Sequence, residues 1–202
     1  MELVPANNPF STRRTRPGAI AFRFEDGEEA GTVVERLRSN EWWGQIVGPH
    51  GSGKSTLLAT LLPALEAAGR RVQLIALHEG ERRLPLVKDA WRGLSASTQI
   101  IVDGYEQLGP FARWSLTRRC RRCGCGLLVT THRDLGLPTI WTMNPRLELA
   151  KDLVRDLLPP GDETIADRDI ESAWHARHGN LREALFDLYD LFEQRQPEGR
   201  EA

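Results

Sequence analysis

The chain has 202 residues, enough to bury a substantial core as one α/β domain or as a core with a small appendage. Its 27 Lys and Arg against 28 Asp and Glu leave a formal net charge of −1, so whole-chain electrostatics select neither nucleic acid nor an acidic membrane as partner. No apolar run approaches the roughly 20 residues of a spanning helix, and Met1-Glu2-Leu3-Val4-Pro5 lacks the basic and apolar segments of a signal peptide, which together predict a cytoplasmic protein.

Residues 1–27 read as an irregular N-terminal arm, rich in Pro, Arg and Asn, with a short extended piece at Ala19-Ile20-Ala21-Phe22-Arg23-Phe24. Arg13, Arg14 and Arg16 read as a solvated tail, with phosphate contacts as the alternative. Residues 28–39 have helical spacing, with Ala30, Val33, Val34 and Leu37 on one face. A short apolar strand follows at Trp43-Gly44-Gln45-Ile46-Val47.

That strand runs into Gly48-Pro49-His50-Gly51-Ser52-Gly53-Lys54-Ser55-Thr56, which fits the phosphate-loop pattern of a glycine, four residues and Gly-Lys-Ser/Thr. Leu57, Leu58, Leu61, Leu62 and Leu65 then mark a helix, so the loop sits in the strand–turn–helix context it requires. Glycines let successive N–H groups turn inward as an anion nest, and the helix adds its unpaired N–H groups and positive dipole end. Lys54 supplies a point charge for the terminal phosphates, and the Ser55 hydroxyl is a ligand for Mg²⁺. Pro49 removes one donor, so the cradle relies on residues from His50 onward. The stretch is a nucleoside-triphosphate site by these criteria.

Pro63 sits inside the helix and is expected to kink it, and Gly69 is a candidate cap beyond it. Further strands are expected at Val72-Gln73-Leu74-Ile75-Ala76-Leu77, Gln99-Ile100-Ile101-Val102-Asp103, Gly126-Leu127-Leu128-Val129-Thr130-Thr131 and Thr139-Ile140-Trp141-Thr142-Met143. Helices are expected over 84–95 and from near Pro110. From Asn144 onward the pattern is helical only: one stripe of Leu147, Ala150, Leu153, Val154 and Leu157, a second helix over 167–178 stopped by Gly179, and a third capped by Asn180 with Glu183 three residues on. The organisation is thus an arm (1–27), a nucleotide-binding α/β core (28–143), a helical lid (144–195) and a frayed tail (196–202). Alternating strands and helices imply a parallel sheet covered on both faces, with the ligand at the carboxyl ends of its strands.

Several residues outside the loop carry candidate chemistry. Asp103, ending an apolar run, suits the carboxylate that holds magnesium beside a phosphate loop. Glu106, expected in the first turn of the next helix, reads either as the base that orients water or as a partner of the helix dipole. Thr130, Thr131 and His132 close a strand, where a hydroxyl or imidazole can sense a terminal phosphate; alternation puts Thr130 and His132 on one side and Thr131 on the other. Arg182 begins the last helix and reads either as a phosphate contact from the lid or as a surface arginine. Cys120, Cys123 and Cys125 read as ordinary reduced cysteines, with zinc completed by His132 as the alternative. Arg118, Arg119, Arg121, Arg122 and Arg133 are candidates for a finger to a neighbouring subunit, for a solvated patch or for a nucleic-acid contact.

On these residues the chain resembles the AAA+ branch of P-loop ATPases over about residues 28–194. Gly48 to Thr56 match Walker A, Ile100 to Asp103 Walker B, Thr130 to His132 a sensor-one strand end, and Gly179-Asn180-Leu181-Arg182-Glu183 a sensor-two helix start. The resemblance implies a three-layer αβα P-loop NTPase with sheet order 5-1-4-3-2, a mobile C-terminal lid, and ATP and Mg²⁺ as cofactors. Asp103-Gly104-Tyr105-Glu106 departs from the adjacent Asp-Glu pair and is similar to the Asp-Gly-x-acid form of STAND signalling ATPases. Thr131-His132-Arg133-Asp134-Leu135 is also similar to the switch-histidine loop of ABC ATPases, but no Leu-Ser-Gly-Gly-Gln signature accompanies it. The short connection after Thr131 leaves no room for the helix that usually bears an arginine finger, so oligomerisation lacks that support.

The functional expectation is a Mg²⁺-dependent ATPase that couples nucleotide to lid motion for a protein or nucleic-acid client. A non-hydrolysing nucleotide switch and a small-molecule or nucleoside kinase are the alternatives. The absence of an Asn-Lys-x-Asp guanine motif favours ATP over GTP.

Overall fold

A strand that must re-enter the same sheet in parallel needs a crossover, and the amphipathic helices between the apolar runs supply it. The computed structural model describes residues 8–24, 27–78, 80–82, 84 and 93–196. Of the helix expected over 84–95, residues 85–92 lie outside them, while Leu84, Gly93, Leu94 and Ser95 are described and are not helical; of the expected tail over 196–202, only Gln196 is described. The chain divides into two compact units, one of residues 21–49 and 54–143, the other of 8–20, 50–53 and 144–196. Among the described residues the helices are α1 (Thr12–Thr15), α2 (Ala30–Ser39), α3 (Lys54–Ala67), α4 (Pro110–Cys123), α5 (Leu147–Leu157), α6 (Asp167–Ala176) and α7 (Leu181–Arg195), with a short 3-10 turn at Tyr105–Gln107.

In the first unit, β1 (Trp43–Val47), β2 (Arg71–Ala76), β3 (Thr98–Asp103), β4 (Gly126–Thr131) and β5 (Thr139–Thr142) form one parallel sheet in the order β2-β3-β4-β1-β5. Read from the other edge, this is the 5-1-4-3-2 order. The central strands β3 and β4 are apolar on both faces because both faces are covered. Ile101 and Leu128 pack with Val33, Val34 and Leu37 of α2 and Leu57, Leu58 and Leu61 of α3. Ile100, Val102, Leu127 and Val129, one residue out of phase, pack with Leu116 and Cys120 of α4. Helix α3 runs through Pro63 and ends in a Schellman turn: Arg70 N–H reaches Leu65 O, Gly69 N–H reaches Glu66 O, and Gly69 takes φ +79°.

The second unit is built on α5, α6 and α7, whose apolar stripes meet at Ala150, Val154, Ile170, Trp174, Leu185, Leu188 and Phe192. The N-terminal segment, expected as an irregular arm, belongs to this core. Phe10 is 1 % exposed and meets Phe192 edge-on with ring centroids 5.9 Å apart. Buried Asn8 donates to Tyr189 O at 3.2 Å and to Glu193 Oε1 at 2.6 Å. Helix α6 ends at Ala176, two residues short of the expected His178: His178 takes the left-handed position at φ +50°, and Gly179 N–H closes the turn on Trp174 O. The Asn180 side chain then caps α7 by accepting from Glu183 N–H at 3.2 Å.

Removing the Phe10 ring takes a buried aromatic out of this helical core. Phe10→Ala is expected to destabilise the unit by about 3–5 kcal/mol, read as a lower urea midpoint by far-UV circular dichroism; an unchanged midpoint contradicts the packing role.

Candidate functional site

The sheet register decides which side chains meet at its carboxyl edge. Val47 lies opposite Thr131, and Val102 opposite Val129, so Asp103 and Thr130 come next along their strands. Gly48 N–H adds a last bond to Thr131 O at 3.0 Å before the chain leaves the sheet. Gly51 and Gly53 take φ +67° and +92°, conformations that turn the intervening N–H groups toward one side of the loop.

Gly48, Pro49, Lys54, Ser55 and Thr56 belong to the sheet unit, whereas the tip, His50, Gly51, Ser52 and Gly53, groups with the helical unit. Within the helical unit, a Cβ on Gly51 would lie 1.8 Å from Asn180 Oδ1 and 3.1 Å from Arg182 Cβ. The start of α7 is therefore seated directly on the loop tip, and a side chain at position 51 would have to displace the Asn180 amide that caps α7. Ser52 is buried there, and Arg182 is exposed.

Within the sheet unit, Lys54 is 8 % exposed, and its Nζ donates to Gly48 O at 2.7 Å and Pro49 O at 2.6 Å. Burial pulls its pKa down, while the carboxylates of Glu106 and Asp103 oppose that shift. Lysine and both acids thus share one electrostatic site. Ser55 Oγ donates to Asp103 Oδ2 at 2.6 Å, and Thr130 Oγ1 donates to Asp103 Oδ1. Thr130 Oγ1 also accepts from Gly104 N–H at 2.8 Å. Its hydroxyl is thereby engaged on both sides, holding Asp103 and the turn that follows.

That turn explains the missing acid at position 104. Gly104 takes φ +81°, and a Cβ there would sit 2.8 Å from the Leu77 carbonyl oxygen. No side chain is accommodated, and the left-handed residue swings the chain into the 3-10 turn. Glu106 lies in this turn and not in the first turn of the next helix, which starts at Pro110; the helix-dipole reading loses its geometric basis. Instead, His132 Nε2 pairs with Glu106 Oε1 at 2.9 Å. Glu106 Oε2 is buried with no hydrogen-bond partner among the described residues. Thr131, on the opposite side of the strand end, directs its buried hydroxyl to Arg133 O at 2.9 Å.

These residues fit magnesium and a polyphosphate. A hydroxyl and a carboxylate oxygen already converge at Ser55 and Asp103, the hard-oxygen donor set magnesium takes, with its remaining positions left to water and phosphate. The orphaned Glu106 oxygen is an acceptor awaiting a proton donor such as water.

Three positioning residues were not singled out for function by their sequence. Arg113 donates to Glu106 O at 2.7 Å and lies over the Tyr105 ring, bracing the turn. Gln45, fully buried in β1, donates to Asp134 Oδ1 at 2.6 Å and accepts from Leu135 N–H at 3.0 Å, fixing the loop beyond His132. An amide inside an apolar strand was its available signal. Asn180, read as a cap, is also the contact for Gly51. The three cysteines are free, burial pushes the Cys120 thiol up to about 12, and among the described residues no three metal-ligating side chains cluster.

Among solved structures, the Walker-type ATPase PABY2304 of Pyrococcus abyssi is similar to the chain, with a TM-score of 0.55 and 16% identity over 93% of this chain and 74% of that one. C. elegans PCH-2 matches at a TM-score of 0.47 and 12% identity, over 82% of this chain and 68% of that one. Neither a protein-family model nor a curated protein matches the chain. At these identities the likeness is one of fold: the chain has the αβα architecture of a P-loop NTPase, with its five-stranded parallel sheet.

Gly104→Ala forces a Cβ against a backbone oxygen and a left-handed φ. It is expected to cost about 1–2 kcal/mol in stability and to displace Glu106 from His132. A matching loss in thermal stability and changed His132 ring chemical shifts by NMR check this; no change in either contradicts it.

Proposed function

We propose that the chain is a Mg²⁺-dependent ATPase. The loop amides and Lys54 hold the triphosphate tail, and Ser55 and Asp103 hold magnesium, which when bound neutralises charge on the phosphate oxygens. Glu106 orients a water with Oε2 and accepts its proton, while His132 holds Oε1 and Arg113 holds the backbone of the same residue. Thr130 keeps Asp103 pointed at Ser55. Thr131 contacts Arg133 and supports the strand end. The seating of Gly51 against Asn180, beside Arg182, supports a coupling between loop conformation and the lid helices, and through them to a client.

The single observation that carries this reading is a glutamate with one oxygen held by histidine and the other buried and unpaired, in the electrostatic neighbourhood of Lys54 and Asp103. A carboxylate that served only to cap a helix would be satisfied or solvated.

Glu106→Gln keeps the shape and removes the proton acceptor. Steady-state ATP turnover is expected to fall by about 100-fold or more, with ATP–Mg²⁺ affinity within a few-fold of the parent. Equal turnover in the two proteins overturns the role of Glu106, and negligible turnover in the parent overturns the ATPase reading.

A further inference from the structure

Helix α4 carries Arg113, Arg118, Arg119, Arg121 and Arg122 and no acid, in a chain whose 27 basic and 28 acidic residues nearly balance as a whole. Leu116 and Cys120 anchor its inner side in the core. The outer side presents Phe111 at 78 % exposure and Trp114 at 56 %, two of the most exposed large apolar side chains among the described residues. At 100° per residue, Phe111, Trp114, Arg118, Arg121 and Arg122 share one stripe, about 17 Å long at the helical rise.

The stripe is already organised for stacking. The Phe111 and Trp114 rings lie 5.8 Å apart at a tilt of 34°. The Arg118 guanidinium sits over the Trp114 ring at 5.6 Å, and Arg121 over Trp43 at 5.4 Å. Trp114, Thr117, Arg118, Arg121 and Arg122 line an open hollow of about 250 Å³. Among the described residues no carboxylate neutralises Arg118, Arg121 or Arg122.

We propose that this outer face of α4 is a docking surface for single-stranded nucleic acid. Such a strand is the polyanion that also offers flat π faces at intervals along its length, so bases stack on Phe111 and Trp114 while phosphates meet the guanidinium forks. A duplex hides its base faces and would use the arginines alone. An acidic peptide would use the charges but leaves the two exposed rings without stacking partners. A lipid surface calls for a broad apolar face, and here the stripe turns basic after Trp114. The surface lies on the sheet unit's own helix and does not depend on the nucleotide reading.

The test is fluorescence anisotropy of labelled oligo-dT of about 20 nucleotides with the full chain, without ATP. Binding is expected to weaken with salt at a slope of about −2 in log K against log salt, for three arginines on a single strand. Trp114→Ala is expected to weaken it by about tenfold, Trp114→Phe to restore most of the loss, and the double variant Arg118→Glu/Arg122→Glu to abolish it. Since Trp114 and both arginines are exposed, these variants keep the fold, checked by circular dichroism. No binding to oligo-dT at low salt, equal or tighter binding to duplex DNA or to a glutamate-rich peptide, or an unchanged affinity in Trp114→Ala overturns the proposal.

Discussion

Both oxygens of the Asp103 carboxylate are held by hydroxyls from separate segments, Ser55 at the start of α3 and Thr130 at the end of β4. Hydrogen bonds to a charged acceptor contribute on the order of 2 kcal/mol each, and these two tie together elements that the sheet alone would leave to local turns. Thr130 extends the chain of bonds to Gly104 N–H, so the same hydroxyl also fixes where the strand becomes a turn. Everything else assigned to the site is placed relative to this carboxylate. The register of β3 against β4 puts Asp103 and Thr130 side by side, and a slip of one residue would turn each to the opposite face.

The departure from an adjacent acidic pair has a steric origin. Position 104 has a backbone oxygen where a Cβ would go and a φ that favours glycine. The carboxylate moves two residues on, to the middle of a 3-10 turn, and there it meets an imidazole from the neighbouring strand end. Arg113, three residues into α4, reaches back to the turn's backbone. The turn is thus held from the helix after it and from the strand beside it, a geometry that keeps one Glu106 oxygen occupied and leaves the other buried without a hydrogen-bond partner among the described residues.

Much of the architecture was legible because its signals are local. Apolar runs ending in Val47, Asp103 and Thr131 marked strands to within a residue or two, the glycine-rich loop marked the turn into α3, and Pro110 marked the start of α4. Strand alternation also separated Thr130 and His132 from Thr131, as their hydrogen bonds do. What sequence could not supply was long-range pairing. Nothing local to Asn8 or Phe10 points to α7, 180 residues on, and the first 27 residues therefore read as an arm. Glu106 was assigned to a helical turn because acids favour such positions; the left-handed Gly104 and the Thr130 contact, both tertiary effects, put it elsewhere. Asn180 announced itself as a cap, while its second contact, with Gly51, depends on the packing of the helical unit.

The central claim is that Ser55 and Asp103 form a magnesium seat beside a triphosphate grip. Calorimetric titration of ATP, with and without Mg²⁺, into the parent and into Asp103→Asn tests it most directly. The account predicts that Mg²⁺ tightens ATP binding to the parent by about tenfold or more, a difference of about 1.4 kcal/mol, and that the variant loses this gain while still binding free ATP. A parent whose ATP affinity ignores Mg²⁺, or a variant that keeps the full gain, would contradict it.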